Sequence, residues 1–537
     1  MHRIKFLTTL GLIFVLQASV AQDRADLTLV NQLRDEGINR SKVMEHLGVL
    51  ADEIGPRLTG SPGLKKASQW TRAKLAEWGM QNARIESFAP FGRGWTFEKS
   101  SLRMLDPVNV ELPAIPKAWT SGTAGPVRGR AVYAKLEAEE DFAKWRGKLA
   151  GMIVLRNAAH VSSPHLKPDA TRFSDAQLAE LKTIQLGNTG PAARDPARFA
   201  RRFGFEKKLN AFLIEEKVLA VLSVSSAEDG TIRVQSGGSY KNDAPAAPPS
   251  LVVMAESYNR VLRLLEKDKQ VELEIDIKAD FIDEDPESAV NVLAEMPGSD
   301  KKDELVMVGA HLDSWHGGTG ATDNAAGVAV AMEAMRLLKV LDFKPRRTIR
   351  IGLWGGEEQG LLGSKAYVEK WLASRPEPVD PKEKDLPSFL RKSPLGPLTF
   401  KPLHSKVSVY FNLDEGSGKI RGVFTEGNAA VKPVFDAWFL PFHDMGAATV
   451  SLRKLQGSDH QSFDDVGVPG FHFIQDELDY ETRTHHTNLD VFDKVQKGDL
   501  MQAAIVLASF VAHAANRDEM LPRKPPPQER QQDALKK

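Results

Sequence analysis

The stretch from 305 to 358 constrains the chain more than any other. An apolar run, 305–310, ends in His311-Leu312-Asp313. A Gly-rich loop containing Asp323 follows, then a helix-like segment over 325–339. A second apolar run, 349–354, ends in Gly355-Gly356-Glu357-Glu358. Short apolar runs bounded by turn residues read as buried strands. Twice, then, a buried strand delivers a histidine or acids where it meets a loop. In open α/β sheets that edge is where sites are built. Histidine with several carboxylates is a ligand set for zinc or a similar divalent ion. The expected fold class is α/β, with a mixed, mostly parallel central sheet and helices on both faces.

The 537 residues are more than one domain usually holds. Lys+Arg and Asp+Glu both number 71, so the net charge is zero and no broad basic field is available for nucleic acid or anionic lipid. There is no cysteine, which excludes disulfides, thiolate metal sites and cysteine nucleophiles together. Arg3 and Lys5 precede a short apolar core, 6–16, and Ala18-Ser19-Val20-Ala21 offers small residues before Gln22. This is the plan of a secretory signal peptide over 1–21. The core is short of the roughly 20 residues a membrane span needs, so no stable span is expected after cleavage. Export without cysteine points to a bacterial periplasmic or secreted protein.

Along the chain, Ser41 reads as an N-cap, and Ser61-Pro62 starts a second helix. The texture changes between 119 and 267. There, short β pieces at 130–133, 152–155, 218–224, 231–235 and 251–254 alternate with polar helical stretches at 174–186 and 194–208. That window is expected to be an inserted β-rich domain, with the proline-containing 244–250 as its exit linker. Its His160 and His165 read as surface loop residues. Residues 22–118 would be the N-terminal part of the catalytic domain, 268–517 its main body, and 518–537 a disordered tail. The Pro- and Lys-rich 376–401 is long enough to serve as a lid or substrate wall. Ser458, with Gln461 three residues on, resembles a capping box.

Five side chains stand out as ligands: His311, Asp323, Glu358, Asp414 and His486. Five, with one carboxylate bridging, suit two metals a few Å apart. Asp313, two residues after His311, is placed to accept the free imidazole N–H and orient that ligand. Glu357 and Glu358 leave the strand in different directions. One can therefore bind metal while Glu357 stays free beside it as a general base. Taken singly, each signal is weak: a lone Asp in a Gly loop is usually a turn residue, and a Glu-Glu pair after a strand is usually solvated. The ordered set is far more specific.

The pieces AHLDSW, ATDNAAGV, LWGGEEQGLLGS, NLDEG, GSDHQSFDDVGVPG and HHTNLD, in this order, resemble the M28 family of zinc exopeptidases. The HLDSW and HHT forms are most similar to its carboxypeptidase Q group. The inserted region resembles a protease-associated domain, with GKLAGMIVLRN as the best local match. The resemblance implies the zinc-exopeptidase fold and two zinc ions. His311 and Asp414 would hold one, Glu358 and His486 the other, and Asp323 would bridge. Glu357 would be the general base and then the acid for the leaving amine. A cis peptide after Asp323 is also implied. Many family members carry Tyr before the last ligand histidine to stabilise the oxyanion; here that position is His485, a candidate for the same task, with a supporting or surface histidine as the alternative. His460 fits better as a first-turn helix residue than as a substrate contact, and His316 is placed near the mouth without being a ligand. The implied function is exported hydrolysis of dipeptides or of the N-terminal residue of short peptides. A single-zinc glutaminyl cyclase and a non-catalytic receptor or binding protein on the same scaffold remain the alternatives. Arg483 and Glu415 are candidates to meet the substrate termini, and a homodimer is left open.

Overall fold

The computed structural model describes residues 23–183, 196–376, 380, 383 and 396–524. The expected signal peptide, residues 377–379, 381–382 and 384–395 of the 376–401 loop, and the end of the tail lie outside the described residues.

One eight-stranded sheet runs in the order Gln81–Ser87, Val290–Met296, Arg347–Trp354, Lys301–His311, Val407–Asn412, Gly470–Gln475, Ile420–Phe424, Thr449–Ser451. Its four middle strands, from Arg347–Trp354 to Gly470–Gln475, are mutually parallel, and antiparallel pairings flank them. The sheet is therefore mixed and mostly parallel, as the sequence predicts. Both faces are covered. Val306, Val308 and Ala310 point into a core shared with the helices Ala326–Val340, Lys497–Asn516 and Pro62–Glu77. Leu305 and Met307 point the other way, onto Tyr367, Val368 and Phe463. Burial on both faces explains why these strands read as continuous apolar runs instead of alternating. Lys497–Asn516 is long and apolar enough to cross a bilayer, but here it packs inside this core.

The second sheet is also eight-stranded, ordered Val110–Glu111, Gly94–Asp106, Glu272–Ile282, Val127–Tyr133, Ile153–Leu155, Ala220–Val224, Ser250–Val253, Ala114–Pro116. It reaches beyond the expected 119–267 window at both ends. The two long strands Gly94–Asp106 and Glu272–Ile282 pair with each other and belong to it. The alternation of Leu273, Ile275 and Ile277 marks a half-buried strand but cannot say which sheet that strand joins. The region is also less purely β than expected. Three of its pairings are parallel, and the helices Pro196–Glu215 and Ala255–Leu265 pack on it. Residues 244–250 do not act as an exit linker: they lead into Ser250–Val253, a strand of the same sheet. The expected strand at 231–235 joins neither sheet and pairs instead with the loop around Thr487.

Two local expectations also change. Ser458 does not cap the helix His460–Asp464, whose N-cap is Asp459. Residues 518–524 are not a loose tail: Leu521 is buried, and Arg523 donates to the carbonyls of His404 and Val407.

Candidate metal centre and active site

The C-terminal ends of the parallel strands bring the five expected ligands together. His311 is the last residue of its strand, Glu357 and Glu358 follow the strand ending at Trp354, and Asp414 follows the one ending at Asn412. Asp323 comes from the turn before the helix Ala326–Val340, and its peptide bond to Asn324 is cis, as expected. His486 comes from the loop after the strand Gly470–Gln475.

Asp323 divides its two oxygens between two halves. Oδ1 lies 3.2 Å from His311 Nε2, which is 3.0 Å from Asp414 Oδ1. Oδ2 lies 3.2 Å from His486 Nε2, which is 3.0 Å from Glu358 Oε2. Ligands about 2.0–2.1 Å from a tetrahedral zinc are separated from each other by about 3.3 Å. The donor atoms are therefore spaced as ligands of a shared ion, twice over. Asp323 Oδ2 and Glu358 Oε1 are also buried acceptors that receive no hydrogen bond among the described residues. Such atoms are costly unless a cation or donor meets them.

The electrostatics agree. Burial opposes charge on His311, but Asp414, Asp313 and Asp323 around it carry its pKa well above the ordinary value. Burial, reinforced by Asp414, Asp459 and Glu358, pushes the Glu357 carboxyl well up, with His311 working against it. Burial and Asp323 raise Glu358 in the same way. So many enclosed carboxyls cannot all ionise without a compensating positive charge, and divalent cations supply one. Glu357 presents a carboxylate oxygen within 4.8 Å of ligand atoms of His311 and Asp414, beside the first half-site.

The supporting residues differ from expectation. The Nδ1 of His311 meets the main-chain carbonyl of Asp313 at 3.0 Å, while the carboxylate of Asp313 stands off at 3.5 Å. That carboxylate accepts instead from the backbone N–H of Glu357 and Glu358 and from Thr59 Oγ1. Asp313 thus orients His311 through its backbone and ties the two strand ends together through its side chain. His485 stacks on Tyr480, with ring centroids 4.8 Å apart, and sits 4.0 Å from Asp323 Oδ2. His316 is buried at the junction with the second sheet, bonded to the carbonyl of Pro116 at 2.7 Å, and burial lowers its pKa to about 4. It is therefore not at a mouth. His460 begins its helix, fully buried against the carbonyl of Leu455. Arg483 is committed to Asp169 and Asp229, and Glu415, raised to about 8 by burial and neighbouring acids, lies next to Asp414. His160 and His165 are paired with Glu228, and His165 also with Asp169.

Sequence reasoning missed four supports. Trp354 Nε1 donates to Tyr410 Oη, which donates to Asn412 Oδ1; Asn412 Nδ2 donates to Ser458 Oγ, which donates to Asp414 Oδ2 at 2.5 Å. Ser458 therefore aims Asp414, an expected ligand, and the capping-box pattern disguised it. Asp490 accepts from the backbone N–H groups of Thr322 and Asp323 and fixes the bridging turn. Arg57 is buried and donates to the carbonyls of Leu312, Thr319 and Gly320; burial lowers its pKa to about 10, so it remains a cation beneath the acids at pH 7. Gln235 reaches His486 from the second sheet's side. Apart from the Tyr410–Asn412 bond within one strand, these contacts have no local spacing signal, because they join segments distant in sequence.

Residues 291–511 match the model of peptidase family M28. This segment is an M28 peptidase domain. The match spans every strand end that supplies a ligand and stops short of the second sheet. Over most of its length the chain is similar to carboxypeptidase Q. It is 26% identical to the Mus musculus protein over 490 residues, covering 91% of this chain and 88% of that one. It is 27% identical to the Bos taurus protein over 507 residues, covering 94% and 90%. Among solved structures, a peptidase M28 precursor from Shewanella amazonensis aligns with a TM-score of 0.64 at 24% identity, over 93% of this chain and 98% of that one. BSAP, a zinc aminopeptidase from Bacillus subtilis, aligns with a TM-score of 0.54 at 18% identity, over 90% and 97%. Both likenesses extend through the second sheet, so the two-sheet architecture is shared and not only the M28 domain.

Proposed function

We propose that the chain is an exported two-zinc exopeptidase that hydrolyses dipeptides or removes the N-terminal residue of short peptides. The observation that carries this reading is the division of Asp323 between two His–carboxylate pairs, with Glu357 left over beside them. His311, Asp414 and Asp323 would hold one ion; His486, Glu358 and Asp323 the other. When bound, the ions would supply Lewis acidity, making a water more acidic and polarising the scissile carbonyl. Glu357 takes the proton of the attacking water and returns it to the departing nitrogen. Glu357 stands within 4.8 Å of ligand atoms of His311 and Asp414, where a carboxylate can reach a water at the first half-site. His485, stacked on Tyr480 beside Asp323, would help to stabilise the developing oxyanion.

Two observations speak against the alternatives. A single-zinc enzyme has no need of the second His–carboxylate pair, His486 with Glu358. A binding protein has no need of Glu357 beside the ligands. The test is cleavage of one dipeptide by zinc-loaded protein, with both termini free, N-acetylated, or C-amidated. Resistance of the N-acetyl form alone identifies an aminopeptidase. Resistance of both blocked forms identifies a dipeptidase. Absence of cleavage with zinc bound would refute the exopeptidase reading.

A further inference from the structure

The loop that carries His485 and His486 is held by the extended segment 231–235, which packs through Ile232 and Val234 on Val252 of the second sheet. The N–H of Val234 donates to the carbonyl of His486 at 3.0 Å, and that of Asn488 to the carbonyl of Ile232 at 3.1 Å. Asn488 Oδ1 accepts from Ile232 N at 2.6 Å, and Arg233 bridges Thr487 in antiparallel fashion. Arg233 also donates to the carbonyl of Glu481, and Arg483 to Thr231 Oγ1. His486 itself stands at φ 61°, the left-handed region that residues with a Cβ avoid. The bond from Val234 is one of the contacts that keep it there. One residue further on, the carboxamide of Gln235 lies 2.9 Å from His486 Nδ1.

We propose that the second sheet's body completes the metal centre, with Gln235 as the positioning residue for His486. The inference rests on the metallopeptidase reading. His486 Nε2 faces Asp323 and Glu358. An imidazole that gives Nε2 to a cation must carry its proton on Nδ1. In the geometry described, Gln235 Nε2 faces Nδ1; turned over about its last bond, the same carboxamide presents Oε1 as acceptor for Nδ1–H. An acceptor there fixes the tautomer and ring plane of the ligand and raises its basicity, and losing such a partner typically weakens metal binding by about 10–100-fold. Gln235 is exposed, so water competes for the same proton and the effect falls at the lower end of that range.

The experiment is zinc competition against a chromophoric chelator with the full chain, comparing wild type, Gln235→Leu and Gln235→Glu. Gln235→Leu is expected to hold one of two zinc equivalents about 10-fold more weakly, with the other unchanged. Gln235→Glu, which keeps an acceptor, is expected to restore it, and the three metal-free proteins are expected to melt together. A Gln235→Leu protein that retains both equivalents as tightly as wild type would overturn the inference alone. So would a Gln235→Glu protein as weak as Gln235→Leu, since packing and not the acceptor would then matter. A wild type that binds no zinc would overturn the metallopeptidase reading as well.

Discussion

Among single residues, several groups touch the expected ligands without being ligands themselves. Glu357→Gln keeps size and packing but cannot take a proton, so turnover is expected to fall by about 10²–10⁴-fold while bound zinc, measured by elemental analysis, stays at the wild-type level. Ser458→Ala removes the donor that aims Asp414 and leaves the chain from Trp354 unterminated. It is expected to weaken zinc at the His311 half-site by about 10-fold, read by chelator competition. Away from the site, Glu333 is buried with Arg336, which donates to both its oxygens, and with the N–H of Lys42. Burial works against its charge, but His46, Arg336 and that N–H hold its pKa down from 4.5 to about 2. A depressed carboxylate contributes stability above its unfolded pKa and loses it as pH falls through the folded one. Glu333→Gln is therefore expected to cost about 3 kcal/mol at neutral pH. Its stability gap to wild type should close between pH 4.5 and about 2 in acid-unfolding curves. The five expected ligands and Glu357 could be picked out because His311, Glu357, Glu358 and Asp414 stand at or just beyond predicted strand ends, and Asp323 and His486 in loops between predicted elements. Ser458, Arg57, Asp490 and Gln235 could not, because their partners lie far away in sequence and their own neighbourhoods look like ordinary caps, turns and strands.

Among the elements, the pairing of Lys301–His311 with Arg347–Trp354 sets the distance between His311 and the Glu357-Glu358 pair. Gly309 faces Gly352 in that ladder. A Cβ at Gly309 would fall 1.9 Å from the carbonyl oxygen of Gly352, and one at Gly352 would fall 2.5 Å from the Trp354 ring. Backbone cannot yield cheaply there, so Gly309→Ala is expected to destabilise by about 3 kcal/mol and to lower the thermal midpoint, with zinc binding weakened in parallel. Periodicity found the middle strands and the helices because both faces of the sheet are buried and the apolar runs are uninterrupted. The expected boundary at 267 put Glu272–Ile282 with the catalytic body, although its partner is Gly94–Asp106, because alternation reports that one face is buried and not what covers it. Periodicity read 231–235 as a strand, and the residues are indeed extended, but they pair across the junction with the site loop.

For the whole molecule, the segment 231–235 holds the loop of His486, part of the proposed metal centre, so on that reading metal binding and the junction should be coupled. Chelation is expected to abolish peptide cleavage and zinc to restore it, with the metal-free protein more open to proteolysis near 229–235 and 481–488. The most direct test of the central claim combines zinc content with cleavage of an unblocked dipeptide, measured side by side on wild type and Glu357→Gln. Two zinc equivalents in both proteins, with turnover in the wild type alone, is the predicted result. Zinc-loaded wild type that leaves the dipeptide and its blocked forms intact, or a Glu357→Gln protein that cleaves as fast as wild type, would contradict it.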